Sequence, residues 1–244
     1  MDAHVTLLES SSGAGERPEL AHIVRRALER ALTGATKLPP EVLAIAGMSG
    51  RKYRCFINEL IEQLPAPRYL EIGSWGGSTL CSAITGNVVT ALAIDNWSQF
   101  GGPSDKFFNN LARFKGSARV SFLEQDFRQI DYAAIPRSFG KFGVYLFDGP
   151  HTFEDQYDGI TLVQPALEPR YVQIVDDWNW PQVRQATLKA IADLGLHIDM
   201  MVEIRTSLDD SHAPHPICEA SDWHNGYCIS VLSAPDSGGG WSHR

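Results

Sequence analysis

Cysteine is scarce in this chain: Cys55, Cys81, Cys218 and Cys228 are the only four in 244 residues, far apart and without a Cys-x-x-Cys pair. That excludes a small disulfide-stapled domain and a cysteine zinc site. An excess of positive charge is lacking too. Acidic residues outnumber basic ones and leave a formal net charge of −8, so no broad basic surface is available to bind nucleic acid through its phosphates. No apolar run is long enough to span a membrane. The opening MDAHVTLLESSSGAGE has an acid at position 2 and breaks its short apolar run with Glu9 and Ser10 to Ser12, unlike a secretory signal. The expectation is a soluble, cytoplasmic protein with neither a nucleic-acid nor a membrane partner.

What remains is a folded globule. Hydrophobic residues make up 43% of the chain, enough for one core and against intrinsic disorder. Residues 1–66 are charge-balanced, so the whole excess of acid lies in 67–244. Small polar residues mark 1–17 as a flexible leader and 236–244 as a flexible tail. From Pro18 to Leu32, apolar residues recur every three or four positions, as in an amphipathic helix. A second helical stretch is predicted from Pro40 to about Ala46. A third follows, capped by Ser49 and running to Pro65. Residues 18–66 therefore read as a helical N-terminal extension or lid.

After Pro67 the pattern changes. Short apolar runs, Tyr69–Ile72, Val88–Ile94, Val120–Leu123, Gly143–Phe147, Tyr171–Val175, Ile198–Ile204 and Tyr227–Leu232, are separated mostly by helix-sized segments. Such runs lack polar alternation, as strands of a parallel sheet covered on both faces do. Residues 67–235 are predicted to form a doubly wound, mostly parallel, seven-stranded α/β sheet, the last two strands antiparallel.

Ligands of open α/β sheets bind at the carboxyl ends of the strands. Five successive runs reach an acid there: Glu71, Asp95, Asp126, Asp148, and the pair Asp176–Asp177. Any one could be a solvated loop acid; five in register point to a site. The first run enters Gly73-Ser74-Trp75-Gly76-Gly77-Ser78-Thr79, a glycine turn leading to a helix N-terminus, which suits a nucleotide-like ligand. Trp75 stands where a dinucleotide fingerprint needs its second glycine, which disfavours a nicotinamide cofactor. Asp95 is placed to accept hydrogen bonds from ribose hydroxyls.

The segment Glu71-Ile72-Gly73-Ser74-Trp75-Gly76-Gly77 resembles the first motif of class I S-adenosylmethionine-dependent methyltransferases, Asp95 their ribose-binding acid and Asp126-Phe127 their adenine-binding motif. The pattern departs at Trp75, where many members have glycine. Asp148-Gly149-Pro150-His151 and the acid pair Asp176–Asp177 are similar to a subgroup of metal-dependent O-methyltransferases acting on sugars of macrolides and other glycosides. The resemblance implies a cofactor site of Glu71, Gly73, Ser74, Gly77, Ser78, Thr79, Asp95, Asp126 and Phe127. Ser49, in the segment 47–52 that could close over the cofactor, lies near its amino-acid end.

Read for their own chemistry, Asp148, Asp176 and Asp177 could converge on one hard divalent cation, magnesium being the simplest. Asp176 and Asp177 can share an ion only if their strand ends there, because consecutive strand residues face opposite ways. A metal-bound hydroxyl is a better nucleophile, and His151 is near enough to take its proton. Trp97, Trp178 and Trp180 also follow strand ends, and one of the three is assigned to ligand. Of His212, His215 and His224, two read as solvated. The expected function is methyl transfer to a hydroxyl of a small glycoside or polyol. The alternatives are a catechol-like aromatic acceptor, or a cofactor-binding module without turnover. Helical N-terminal extensions can pack between subunits, which makes a homo-oligomer plausible.

Overall fold

The computed structural model describes residues 3–9 and 18–235. In chain order these form β1 (His4–Glu9), α1 (Pro18–Leu32), α2 (Pro40–Leu43) and α3 (Arg51–Gln63). Strands and helices then alternate through β2 (Arg68–Ile72), α4 (Ser78–Ile84), β3 (Thr90–Asp95), α5 (Ser104–Phe114), β4 (Arg119–Glu124), α6 (Ile135–Phe139), β5 (Phe142–Phe147), α7 (Phe153–Thr161), β6 (Leu167–Asp176) and α8 (Pro181–Asp193). The antiparallel pair β7 (His197–Arg205) and β8 (Tyr227–Ser233) completes the series.

All eight strands share one sheet in the order β1-β7-β8-β6-β5-β2-β3-β4. Strands β2 to β6 pair in parallel, and β8 lies antiparallel between β6 and β7. The doubly wound architecture is as expected, with one correction: eight strands rather than seven. The extra one, β1, pairs antiparallel with the outer edge of β7 and falls in the segment read as a flexible leader. Its pairing partner lies some two hundred residues away, which no local pattern announces. The rest of that leader (1–2 and 10–17) and the tail 236–244 lie outside the described residues. Among the described residues, no helix is long and apolar enough to cross a membrane.

Continuous apolar strands require cover on both faces, and both are covered. On one face Ile23, Val24, Ala27 and Leu28 of α1 and Phe56, Ile57 and Leu60 of α3 pack with the sheet residues Tyr69, Ala91 and Val144. On the other, Ile160 of α7 and Val183 and Ile191 of α8 meet Leu70, Tyr145 and Val175. Each such aliphatic side chain contributes about 1.5–3 kcal/mol on burial. The helices of 18–66 are thus a layer of the core, and only the turn after α2, through Met48, reaches the cavity described below.

Arg54, fully buried in α3, explains two local departures from the pattern. Its guanidinium donates to the carbonyls of Val42, Leu43, Ile45 and Gly47 and to the Ser49 hydroxyl. The carbonyls of Leu43, Ile45 and Gly47 are thereby occupied by a side chain, and α2 stops at Leu43 instead of near Ala46. Ser49 does not cap α3. The cap position is Gly50, where a Cβ would lie 2.3 Å from the Asp222 carbonyl oxygen. The free N–H groups of Arg51 and Lys52 donate instead to the carbonyls of Ser221 and Asp222.

Candidate functional site

The sheet order reverses at β2, which has β3 on one side and β5 on the other. At the carboxyl ends around this switch lies a cavity of about 600 Å³, lined by Gly73, Asp95, Asp126, Phe127, Asp148, His151, Asp176 and Asp177 among others. This is where open α/β sheets bind ligands. Eight of the expected site residues therefore meet in one place.

Six do not line it: Ser49, Glu71, Ser74, Gly77, Ser78 and Thr79. Glu71 is an interior residue of β2, and strand alternation turns its side chain away from Ile72, which does line the cavity. It is wholly buried beneath the site and accepts a 2.5 Å hydrogen bond from the Tyr69 hydroxyl. Burial pushes its carboxyl up to about 7. Gly77, in the left-handed region at φ +80, starts α4 against Phe107. Ser78 and Ser49 are both buried, their hydroxyls 3.3 Å apart. These residues shape the walls from behind.

Gly73 has a stricter reason to be glycine. Its φ is +88, and a Cβ there would lie 1.8 Å from the Asp148 carbonyl oxygen. The turn after β2 and the loop after β5 touch at this point, which brings the two halves of the site together. Beyond β3, Asp95 accepts from the backbone N–H of Trp97 through Oδ1 and of Trp75 through Oδ2, each at 2.8 Å. Both oxygens retain a further lone pair toward the cavity. Past β4, Asp126 accepts from the Arg128 N–H at 2.9 Å. The Phe127 ring is buried edge-on against Phe147, with the Arg128 guanidinium over it.

Facing these across the cavity is a carboxylate cluster. Asp176 ends β6, and Asp177 follows at φ +57. The strand does end between the paired acids, so the left-handed turn lets both line the cavity. His151 Nε2 lies 3.2 Å from Asp177 Oδ2 and 3.7 Å from Asp148 Oδ1. Asn225 donates to Asp177 Oδ1 at 2.8 Å. Asp176 Oδ1 is buried without a hydrogen-bond partner among the described residues. Burial, and then the neighbouring Asp177 charge, pushes the Asp148 carboxyl well above its usual range. Asp176 is raised in the same way by burial and by Asp148 and Asp177. Three carboxylates thus crowd together around His151.

The far nitrogen of His151, Nδ1, lies 3.3 Å from Oε1 of Gln156, whose amide nitrogen donates to Thr187 Oγ1 at 3.1 Å. Gln156 and Thr187 are fully buried. This brace from α7 and α8 aims Nε2 at the carboxylates, and the sequence pattern did not reveal it.

The expected metal triad is gathered at one place by its strand ends. As the side chains stand, no group of three or more His, Cys, Asp or Glu among the described residues is arranged to hold a metal ion. The donor set is nevertheless the kind a hard divalent cation takes, with hard carboxylate oxygens and one buried oxygen lacking a partner.

Of the three tryptophans that follow strand ends, one lines the cavity. Trp178 is buried, with its indole N–H on Glu203, and Trp97 packs on Phe107 and Phe122. Trp180 lines the cavity, its ring centre 5.8 Å from that of His151 and 6.1 Å from that of His212. Both His212 and His224 line the cavity, one more than expected, because Asn225 and Thr206 tie their loop to Asn179.

Residues 70–178 match the family described as a methyltransferase domain. No curated protein matches the sequence. Among solved structures, the chain is similar to TrmN from Thermus thermophilus, with a TM-score of 0.50 and 15% identity over 80% of this chain and 52% of that one. It therefore spans about half the length of that protein. It also resembles an O-methyltransferase from Bacillus cereus in complex with SAH, with a TM-score of 0.49 and 14% identity over 90% and 93% of the two chains. For the SAH-bound Podospora anserina methyltransferase PaMTH1 the values are 0.48 and 14%, over 94% and 100%.

Proposed function

We propose that this chain, whose residues 70–178 match a methyltransferase-domain family, is a class I, S-adenosylmethionine-dependent enzyme that methylates a hydroxyl of a small glycoside or polyol with the help of a divalent cation. One observation carries this reading. The cavity has two unlike sides, the acids Asp95 and Asp126 on one and the cluster Asp148, Asp176, Asp177 with His151 on the other.

The first side fits the cofactor. Asp95 has lone pairs free for both ribose hydroxyls, Asp126 and Phe127 border the adenine, and Gly73 keeps the turn clear of a side chain. When bound, S-adenosylmethionine supplies a sulfonium-activated methyl group. On the second side, Asp148, Asp176 and Asp177 are the residues that would hold magnesium, which when bound lowers the pKa of an alcohol and orients it. His151, braced by Gln156, takes the hydroxyl proton on Nε2 as the acceptor oxygen attacks. Catalysis then rests on alignment and on charge placed beforehand.

A second reading keeps the donor and changes the acceptor. The wall of Trp180, His212 and His224 would stack on an aromatic diol as well as on the apolar face of a sugar. The experiment is methyl transfer from labelled cofactor to a panel of glycosides and catechols, by the full chain and by Asp148→Ala and His151→Ala. Transfer to glycosides that both variants lose supports the proposal. Transfer confined to catechols favours the second reading, and cofactor binding without transfer to any acceptor favours a non-catalytic module.

A further inference from the structure

Trp75, the residue at which the glycine turn departs from its family resemblance, has its backbone in the left-handed region at φ +42. For a bulky side chain that conformation is rare and costly, and it persists where the surroundings over-determine it. Two hydrogen bonds do so here. The Trp75 backbone N–H donates to Asp95 Oδ2 at 2.8 Å, and its indole N–H reaches the Phe100 carbonyl at 3.1 Å. The loop it reaches follows β3 and runs through positive φ at Trp97, Phe100, Gly101 and Gly102. It also supplies Ser98, Gln99 and Phe100 to the cavity wall beside Asp95, and Trp75 lines that wall with them. Phe100 is itself 68% exposed, so the indole bond is a principal tether of the loop tip.

We propose that Trp75 is a positioning residue for the cofactor: it clamps the 96–103 loop to the turn after β2 and so holds the wall against which the ribose of S-adenosylmethionine binds. This rests on the methyl-donor reading above and names a residue which that reading does not use. The backbone bond to Asp95 survives any substitution except proline, so the clamp resides in the indole. Glycine at 75 would relieve the backbone and release the loop. Phenylalanine would keep the ring and lose the N–H donor.

The test is calorimetric titration of S-adenosylhomocysteine into the full chain and its Trp75→Gly and Trp75→Phe variants, with chymotrypsin cleavage after Phe100 followed with and without that ligand. The expected result is roughly tenfold weaker binding in Trp75→Gly and a smaller loss in Trp75→Phe. Ligand suppresses cleavage in the wild type and no longer does so in Trp75→Gly. The glycine variant should remain folded, because glycine adopts a positive φ without strain. If it does not fold, Trp75→Phe decides on the same two readouts. A lowered unfolding midpoint with intact ligand protection would mean a structural role only and would overturn the clamp. Equal affinity and equal protection in all three proteins would overturn it too. A wild type that binds no S-adenosylhomocysteine would instead refute the methyl-donor reading itself.

Discussion

Replacing Glu71 by glutamine should stabilise the ligand-free protein at and above neutral pH. Glu71 is completely buried, and burial raises its carboxyl from 4.5 to about 7, with the charge of Asp95 adding to the shift and the Tyr69 hydroxyl bond opposing it. At about 1.4 kcal/mol per pH unit, ionising it inside the fold costs about 3 kcal/mol more than ionising it in the unfolded chain. The folded value lies above the unfolded one, so the folded state holds the extra proton between them. Its stabilising contribution is complete below pH 4.5 and is lost as the pH rises through about 7. Glutamine cannot ionise, so the variant escapes this loss and retains an oxygen for the Tyr69 hydroxyl. Asp148 and Asp176 are raised in the same direction and stay in both proteins, so the difference between the two isolates Glu71. Urea unfolding near pH 5 and near pH 8 measures it. The variant should gain about 2.5 kcal/mol relative to wild type on going to the higher pH, or about 5–10 °C in Tm. Parallel pH profiles for the two proteins would refute the reasoning.

Three further outcomes follow from the packing. Arg54→Met should cost about 3 kcal/mol, because four carbonyls and the Ser49 hydroxyl lose the guanidinium as donor, and thermal unfolding should show it as a lower Tm. Gly73→Ala must move the Asp148 carbonyl or the turn; it should lose about 2–4 kcal/mol of stability, and calorimetry should find S-adenosylhomocysteine binding much weakened. Gln156→Leu removes the brace on His151 Nδ1, and steady-state kinetics should show kcat down roughly 10- to 100-fold with the affinity for S-adenosylhomocysteine unchanged.

The sheet was legible because strands covered on both faces must be apolar throughout, and the runs from Tyr69 to Tyr227 carry that mark. The span of α1 was legible for a similar reason: its buried stripe of Ile23, Val24, Ala27 and Leu28 keeps helical spacing, and Gly34, at φ +74, terminates it. The acids of the cavity could be found because a parallel sheet puts its strand ends on one side. The pattern failed where contacts are remote. β1 is a strand only by virtue of β7, and Ser49 is committed to Arg54 and Ser78. The His151 brace joins Gln156 to Thr187 across two helices. Glu71 stands near a strand end like the other acids, yet strand alternation turns it under the site.

The central claim is that the cluster of Asp148, Asp176 and Asp177 is the cation site of a methyltransferase. It is tested most directly by calorimetric titration of magnesium chloride into the full chain saturated with S-adenosylhomocysteine, beside the Asp148→Ala variant under the same conditions. The account predicts binding of about one ion per chain in the wild type and none in the variant. Absence of binding in the wild type, or equal binding in both proteins, would contradict it.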